Sequence, residues 1–333
     1  MSGVNVAILG VTGLVGQKIL EILEERNFPV ANLTALATQG QGRTVKFRGE
    51  EIPVLSVESM DWSSVNVAFF AASKEASRIY APKAIAQGVT VVDKSSYFRM
   101  DPTVPLVVPE VNGNAAGDAR LIASPNCSTI QMVVALEPIR RHYGLKRVIV
   151  STYQAVSGTG REAMQTLTWE SEDCLNHKTV IPSTYPTPIA FNVLPYCDTF
   201  GEGDYTGEEL KLTRETQKIF DEKLPVSATA VRVPVYIAHA ESVYLETEKP
   251  FDVALVRDLL AHSPGLRVVD DPSQGKVPVP LDASGQDLVL VGRLRRDLFV
   301  ENGLHIFVVA DNLRKGAATN AVQIVESLLS RWT

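Results

Sequence analysis

Asn5-Val6-Ala7-Ile8-Leu9-Gly10-Val11-Thr12-Gly13-Leu14-Val15-Gly16 reads as an apolar strand running into a turn punctuated by three glycines. A helix follows over Gln17 to Glu25, with Ile19, Leu20, Ile22 and Leu23 on one face. Such a strand, turn and helix make the first half of a dinucleotide-binding unit. The glycines let backbone approach a pyrophosphate, which then rests on the helix N-terminus. Gly10, Thr12, Gly13, Leu14, Val15 and Gly16 are therefore the candidate cradle. The spacing is G-x-x-G-x-x-G rather than G-x-G-x-x-G, and a turn of this kind could also serve helix packing alone.

The next strand, Leu33 to Ala37, ends in Thr38-Gln39-Gly40-Gln41-Gly42-Arg43. An NAD site places Asp or Glu near here for the ribose 2′-hydroxyl, and none is present. Thr38, Gln39 and Arg43 suit a 2′-phosphate better, so NADP is expected over NAD, although Arg43 could be a solvated loop charge. Val65 to Phe70, Val89 to Asp93 and Leu121 to Ala123 read as further buried strands, with a helix over Glu75 to Gln87. This alternation predicts an α/β, Rossmann-like, doubly wound and mainly parallel sheet over the first 125 or so residues. Ser73 and the run from Asp93 to Arg99 fall at strand C-terminal ends, where such sheets bind ligands. Arg99 is a candidate anion ligand.

Ser124-Pro125-Asn126-Cys127-Ser128-Thr129 lies between the short run Leu121 to Ala123 and a helical pattern from Ile130. A cysteine in the first turn of a helix sits among unpaired N–H groups at the positive end of the dipole, which favour the nucleophilic thiolate. Free cysteines are also common as small buried hydrophobes. A thiolate needs a partner that is near in space, usually histidine. Of five histidines, His239 interrupts the apolar Val231 to Ser242 stretch in what reads as a short break between two strands. Arg232, within a strand, asks for a carboxylate partner, internal or substrate. Cys174 and Cys197 lack a comparable turn and read as structural.

Beyond Cys127 the pattern changes. Arg147 to Ala155, Val226 to Val233, Ser242 to Leu245, Leu288 to Arg295 and Ile306 to Val309 read as strands of a mixed or antiparallel sheet, giving an α+β second domain. Helices are expected to about Glu172, from Gly207 to Phe220 and over Ala317 to Ser330. Residues 176 to 205 read as a loop or interface segment.

At 333 residues two domains are expected. A net charge of −6 argues against a general nucleic-acid or anionic-membrane binder, and no apolar run reaches the length of a membrane span. Three widely spaced cysteines without a C-x-x-C pair, and no signal-peptide pattern, fit a reducing cytoplasm rather than a disulfide scaffold or a zinc site, so a cytoplasmic protein without a metal site is expected.

The glycine turn, Val108-Pro-Glu-Val-Asn112, the Cys127 motif and Ser151-Thr-Tyr-Gln-Ala-Val-Ser-Gly158 occur in this order. Ala190-Phe-Asn-Val-Leu-Pro195, Glu208-Glu-Leu-Lys211, Arg232-Val-Pro with His239, Val291-Gly-Arg-Leu-Arg295 and Asp311-Asn-Leu-Arg-Lys-Gly316 complete the series. The whole chain resembles the bacterial type of aspartate-β-semialdehyde dehydrogenase. The resemblance implies reversible NADP-dependent conversion of aspartate semialdehyde and inorganic phosphate to β-aspartyl phosphate, feeding lysine, threonine, methionine and diaminopimelate synthesis. It implies Cys127 as nucleophile, His239 as acid/base residue and Gln154 as the residue orienting the acyl group. Arg232 would pair with the substrate carboxylate and Glu208 with its ammonium, while Arg99 and Lys211, with Asn126 adjoining, would receive phosphate. Ser157, Gly158 and Asn312 correspond to positions near the nicotinamide.

The resemblance further implies a dinucleotide-binding domain over residues 1–127 completed by the C-terminal helix at 313–333, a catalytic and dimerisation domain over 128–312, and a homodimer or tetramer. Two departures stand out. The 38–43 loop lacks the family's arginine, and Lys94 replaces the usual asparagine. The nearest alternatives are N-acetyl-γ-glutamyl-phosphate reductase, whose substrate has no ammonium for Glu208, and a catalytically silent nucleotide-binding homologue.

Overall fold

The computed structural model describes residues 3–39 and 42–332; Gly40 and Gln41 of the expected 2′-phosphate loop lie outside the described residues. The chain divides into two units, Met1–Asn126 with Ala317–Thr333, and Cys127–Gly316. The boundaries thus fall at 126/127 and 316/317, against the expected 127/128 and 312/313.

The first unit runs β1 (Val4–Leu9), α1 (Leu14–Glu25), β2 (Val30–Ala37), β3 (Thr44–Phe47), β4 (Glu50–Ser56), β5 (Val67–Phe70), α2 (Lys74–Ala86), β6 (Thr90–Asp93), α3 (Pro109–Asn112) and β7 (Leu121–Ala123). Its seven-stranded sheet has the order β3-β4-β2-β1-β5-β6-β7, parallel except for the β3–β4 hairpin. Successive residues of β1 point to opposite faces. Val6 and Ile8 join a core with Ile19 and Leu23 of α1, and with Val322 and Val325 of the C-terminal helix Thr319–Glu326. Ala7 and Leu9 join a second core with Trp62, Phe70 and Ala81. Burial on both faces explains why the strands are continuous apolar runs rather than alternating ones. The sheet is the doubly wound one expected, and the C-terminal helix belongs to this unit.

Strand order reverses between β1 and β5, the place where doubly wound sheets take ligands. Gly10 there has φ +85°, and a Cβ on it would lie 2.3 Å from the Ala71 carbonyl oxygen. Gly10→Ala therefore meets both a left-handed backbone and a backbone collision. The expected result is a loss of about 2 kcal/mol or more of stability, together with loss of dinucleotide binding, read by thermal denaturation with and without cofactor. An unchanged Tm would contradict the packing described.

The second unit contains α4 (Cys127–Tyr143), β8 (Arg147–Gln154), α5 (Arg161–Leu175), α6 (Gly207–Phe220), β9 (Val226–Arg232), β10 (His239–Glu246), α7 (Val253–Ala261), β11 (Leu266–Val268), α8 (Pro280–Ala283), β12 (Val289–Arg296) and β13 (Gly303–Ala310). Its six strands take the order β11-β12-β13-β10-β8-β9, a mixed sheet with parallel pairs at each edge. Val148, Val150, Thr152 and Gln154 alternate on the buried face of β8, while Ile149 and Tyr153 face outward.

Three expectations need correction. His239 does not sit in a break: it is the first residue of β10, and the break is the preceding segment, where Ala238 has φ +75°. The final helix is not continuous over Ala317 to Ser330. A π-helical turn at Arg314–Ala318 precedes the α-helix, and a 3-10 turn at Leu329–Arg331 follows it. The strand expected to begin at Leu33 begins at Val30.

Candidate active site

Cys127 is the first residue of α4, whose apolar positions are almost entirely buried, so the helix is anchored and its N-terminal N–H groups are fixed in place. The chain leading into it is held firmly. Lys94 Nζ donates to Ser124 Oγ at 3.1 Å and to the Pro125 carbonyl at 3.2 Å, and Asn320 Nδ2 donates to Ser124 Oγ at 3.0 Å. Lys94, the departure from the family pattern, therefore braces the segment before the cysteine. Gly316 lies directly against Cys127, and a Cβ there would stand 2.9 Å from the Cys127 Cβ. The π-turn that carries Gly316 starts from Asp311, whose carboxylate accepts the Leu313, Arg314 and Gly285 N–H groups.

Gln154 ends β8, Arg232 ends β9 and His239 begins β10, three adjacent strands of one sheet. Their side chains share the buried face because each falls on its strand's inward phase. Gln154 Nε2 donates to Ser128 Oγ in the first turn of α4 at 2.8 Å and to Glu208 Oε1 at 3.1 Å. Glu208 also accepts from Lys211 Nζ at 3.1 Å, and Lys211 donates to Asp198 Oδ2 at 2.7 Å. Burial pushes the Lys211 ammonium down, but Glu208 and Asp198 outweigh it and its pKa is raised. It stays charged, with one of its three donors left over.

Arg232 Nη1 donates to the Ala155 carbonyl at 2.7 Å, while its buried Nε has no hydrogen-bond partner among the described residues. The Ala155 N–H donates to His239 Nδ1 at 3.0 Å. A nitrogen that accepts cannot carry the proton, so the neutral ring is protonated on Nε2, which is buried without a hydrogen-bond partner among the described residues. Burial, with Arg232 adding to it and Glu208 and the Ala238 carbonyl opposing, lowers the imidazole pKa to about 3. A Cβ on Gly158 would come within 3.0 Å of Arg232 Nη1 and 3.2 Å of His239 Nε2, so both groups converge on that point. Asn312 Oδ1 accepts from Ser157 Oγ at 3.1 Å and from the Ala238 N–H at 3.0 Å, pinning the left-handed residue that leads into His239.

In the first unit, Gly13 precedes α1 with no side-chain cap, and no acidic residue occupies the helix's first turn. The exposed N–H groups and the Gly10 approach fit a pyrophosphate, among Thr12, Leu14, Val15 and Gly16. Ser73 caps α2 through Ala76 N–H at 3.2 Å. Arg43 lines a groove of about 730 Å³ with Thr34, Ser56, Ser59 and Asp61, a set that does not include Thr38 or Gln39. Arg99 is buried and donates to the Lys94 carbonyl at 2.8 Å. Asn126, also buried, ends this unit.

The structure brings Cys127, Gln154, Glu208, Lys211, Arg232, His239, Ser157, Gly158 and Asn312 into one unit. Ser128, Asp198 and the Ala155 backbone join them and were not expected. Ser128 is next to the cysteine, a signal that could have flagged it; Asp198 lies in the irregular segment, where nothing does. Cys197 is buried beside Arg232, and burial pushes its thiol up to about 12, in keeping with a structural thiol. Among the described residues no group of three or more His, Cys, Asp and Glu side chains is placed to hold a metal, and no helix is long and apolar enough to cross a membrane.

Residues 5–119 match the family described as semialdehyde dehydrogenase, NAD binding domain, and residues 136–315 its dimerisation domain. The chain is 48% identical over 334 residues to the aspartate-semialdehyde dehydrogenase of Aquifex aeolicus, covering 98% of each. It is 48% identical over 339 residues to that of Bacillus subtilis, covering 98% of this chain and 97% of the relative. The crystal structure of Vibrio cholerae aspartate semialdehyde dehydrogenase II complexed with ASA superposes with a TM-score of 0.97 at 45% identity, over the full length of both chains. With both domains matched and near-complete coverage at this identity, the chain belongs to the aspartate-semialdehyde dehydrogenase family.

Proposed function

We propose that this protein interconverts L-aspartate 4-semialdehyde, phosphate and NADP with L-4-aspartyl phosphate and NADPH, a step supplying lysine, threonine, methionine and diaminopimelate synthesis. The observation that carries this reading is the pairing of charges around one nucleophile. Glu208, held by Gln154 and Lys211, offers a buried carboxylate to an ammonium, and Arg232 offers a buried guanidinium to a carboxylate. An amino acid is the ligand that uses both.

In the reductive direction the Cys127 thiolate attacks the acyl carbon, the carbon–oxygen bond to phosphate breaks, and a thioester forms. A dinucleotide held by the Gly10–Gly16 turn would supply, through its nicotinamide, the hydride that reduces a thioester. His239 Nε2–H donates a hydrogen bond to the oxyanion that develops, and the oxyanion collapses by expelling the thiolate. No proton has to leave His239 in this step, so a neutral imidazole of depressed pKa is suited to it. Lys211, held charged by Glu208 and Asp198, is the cation of this unit suited to receive phosphate. NADP is favoured over NAD because no acidic side chain follows β2 to hold a ribose hydroxyl. The outward sheet face displays Ile149 and Tyr153, with the half-buried Phe307 beside Tyr153, which supports a homodimer formed through this sheet.

Steady-state kcat/KM with aspartate semialdehyde and with N-acetylglutamate semialdehyde, each with NADP and with NAD, tests the reading. Turnover of aspartate semialdehyde with NADP is expected to dominate; activity confined to the acetylated aldehyde would overturn the substrate, and a preference for NAD the cofactor.

The tautomer gives a pH prediction. The folded value near 3 lies below the unfolded value of 6.5, so as pH falls below 6.5 the unfolded chain takes the proton first and this site loses stability. Across the assay range above that, His239 stays neutral. The 15N shifts of its ring should report an Nε2–H imidazole that does not titrate near neutrality. A midpoint between about 6 and 7 would contradict the assignment.

A further inference from the structure

β9 is an edge strand, so the N–H and C=O groups along its outer side need partners from outside the sheet. α6 supplies partners along it. Thr213 Oγ1 donates to the Val226 carbonyl at 2.9 Å where the strand begins, and the Ala230 N–H donates to Glu209 Oε1 at 2.9 Å nearer its end. Past that point the Arg232 N–H donates to the Leu194 carbonyl at 2.8 Å, and the Leu194 N–H to the Arg232 carbonyl at 2.9 Å.

Glu209 is buried, and its other oxygen is committed as well. The Thr206 N–H donates to Oε2 at 2.7 Å, while the Glu209 N–H donates to Thr206 Oγ1 at 3.3 Å, which closes a capping box on α6. A capping box needs the carboxylate only for the backbone of its own helix end. Here the second oxygen crosses to the strand. One side chain therefore fixes both where α6 begins and how far that beginning stands from β9.

Two groups of opposite charge depend on that distance. Glu208 precedes Glu209 in the first turn of α6, and Arg232 lies two residues beyond Ala230 on the same inward phase of β9. They are the carboxylate and the guanidinium assigned above to a substrate's ammonium and carboxylate. We propose that Glu209 is a positioning residue that sets the separation of Glu208 and Arg232, and with it the preference for an aldehyde carrying an α-ammonium group. It acts through the Thr206 and Ala230 N–H groups. Both are donors, so the position calls for two acceptor oxygens. An amide would offer one and turn its own N–H toward the other donor.

This role rests on the reading of the substrate as an amino acid, and the experiment separates the two. kcat/KM is measured with NADP for aspartate semialdehyde and for succinic semialdehyde, the same aldehyde without the ammonium. The ratio between them does not depend on how much of a variant is folded. In wild type it should be about a hundredfold or more, because a buried group left unpaired discriminates strongly. Glu209→Gln should lower the ratio by about tenfold or more, the scale of a small misplacement of a binding group, with KM for NADP unchanged. Glu209→Asp keeps the charge and both acceptors, so it stays folded, but its shorter reach pulls α6 toward β9. There the ratio should fall less, by about threefold or more. Thr206→Ala removes the hydroxyl from the capping box and leaves both carboxylate bonds in place. Its Tm should fall while the ratio stays within about twofold of wild type, as for a change that weakens the helix end alone.

A wild-type ratio in the Glu209 variants, or a shift in Thr206→Ala as large as that in Glu209→Gln, would overturn the role, since Glu209 would then do no more than stabilise the helix end. A wild-type enzyme that turns over succinic semialdehyde as well as the amino aldehyde would overturn the substrate reading, and this role with it.

Discussion

Replacing Cys127 by Ser is expected to lower kcat by about four orders of magnitude or more, the scale seen when a covalent nucleophile is removed, and to leave dinucleotide affinity unchanged. The helix N-terminus contributes on the order of 1 kcal/mol toward an anion. That is enough to help ionise a thiol whose pKa is already near 8.5, and far too little for a serine hydroxyl. The glycine turn proposed to cradle the dinucleotide belongs to the unit that does not contain Cys127. Stopped-flow turnover and a fluorescence titration with NADPH read the two effects separately. Near wild-type turnover would remove Cys127 from the mechanism.

Arg232→Leu is the second large effect. The guanidinium makes a charged bond to the Ala155 carbonyl and keeps a buried Nε for a ligand. Its loss removes a charge-assisted pair worth about 1.5–3 kcal/mol and strands the Ala155 carbonyl, whose own N–H orients His239. kcat/KM for the aldehyde should fall by roughly a hundredfold to a thousandfold, with KM raised and kcat lowered together, while KM for the cofactor is unchanged. Arg232→Lys should not restore activity, because an ammonium cannot span two bonding directions as a planar guanidinium does. Restoration by lysine would mean that only charge matters there.

The legibility of this molecule in its sequence follows the range of the contacts. The first unit was readable because β1, the Gly10–Gly16 turn and α1 are neighbours in the chain, and because burial on both faces leaves unbroken apolar runs. The β3–β4 hairpin was not read. Its turn residues are Arg48 and Gly49, both with positive φ, and arginine in the first place conceals a turn that Asn-Gly would announce. In the second unit Cys127, Arg232 and His239 were legible as a reactive cysteine, a strand arginine and a histidine amid apolar residues. What fixes His239, the N–H of Ala155, lies 84 residues away and involves no side-chain signal. The same is true of the Ala155 carbonyl on Arg232, 77 residues distant, and of Asp198, which acts on Lys211 from a segment without periodicity.

The Asp311 to Gly316 motif gained a physical account only from the fold. Asp311 starts the π-turn, Asn312 pins Ala238 ahead of His239, and Gly316 admits Cys127. A turn of that kind is a common companion of functional sites, and no local propensity announces it.

The proposed reaction carries the acyl group on Cys127. Mixing the enzyme with aspartate semialdehyde and NADP in the absence of phosphate tests it directly, since oxidation can then proceed to the thioester and stop for want of the group that releases it. A rapid burst of one NADPH per active site is expected, followed by slow hydrolytic turnover, with the aspartyl group recovered on the peptide containing Cys127. No burst and no acylated peptide, with full activity on adding phosphate, would contradict it.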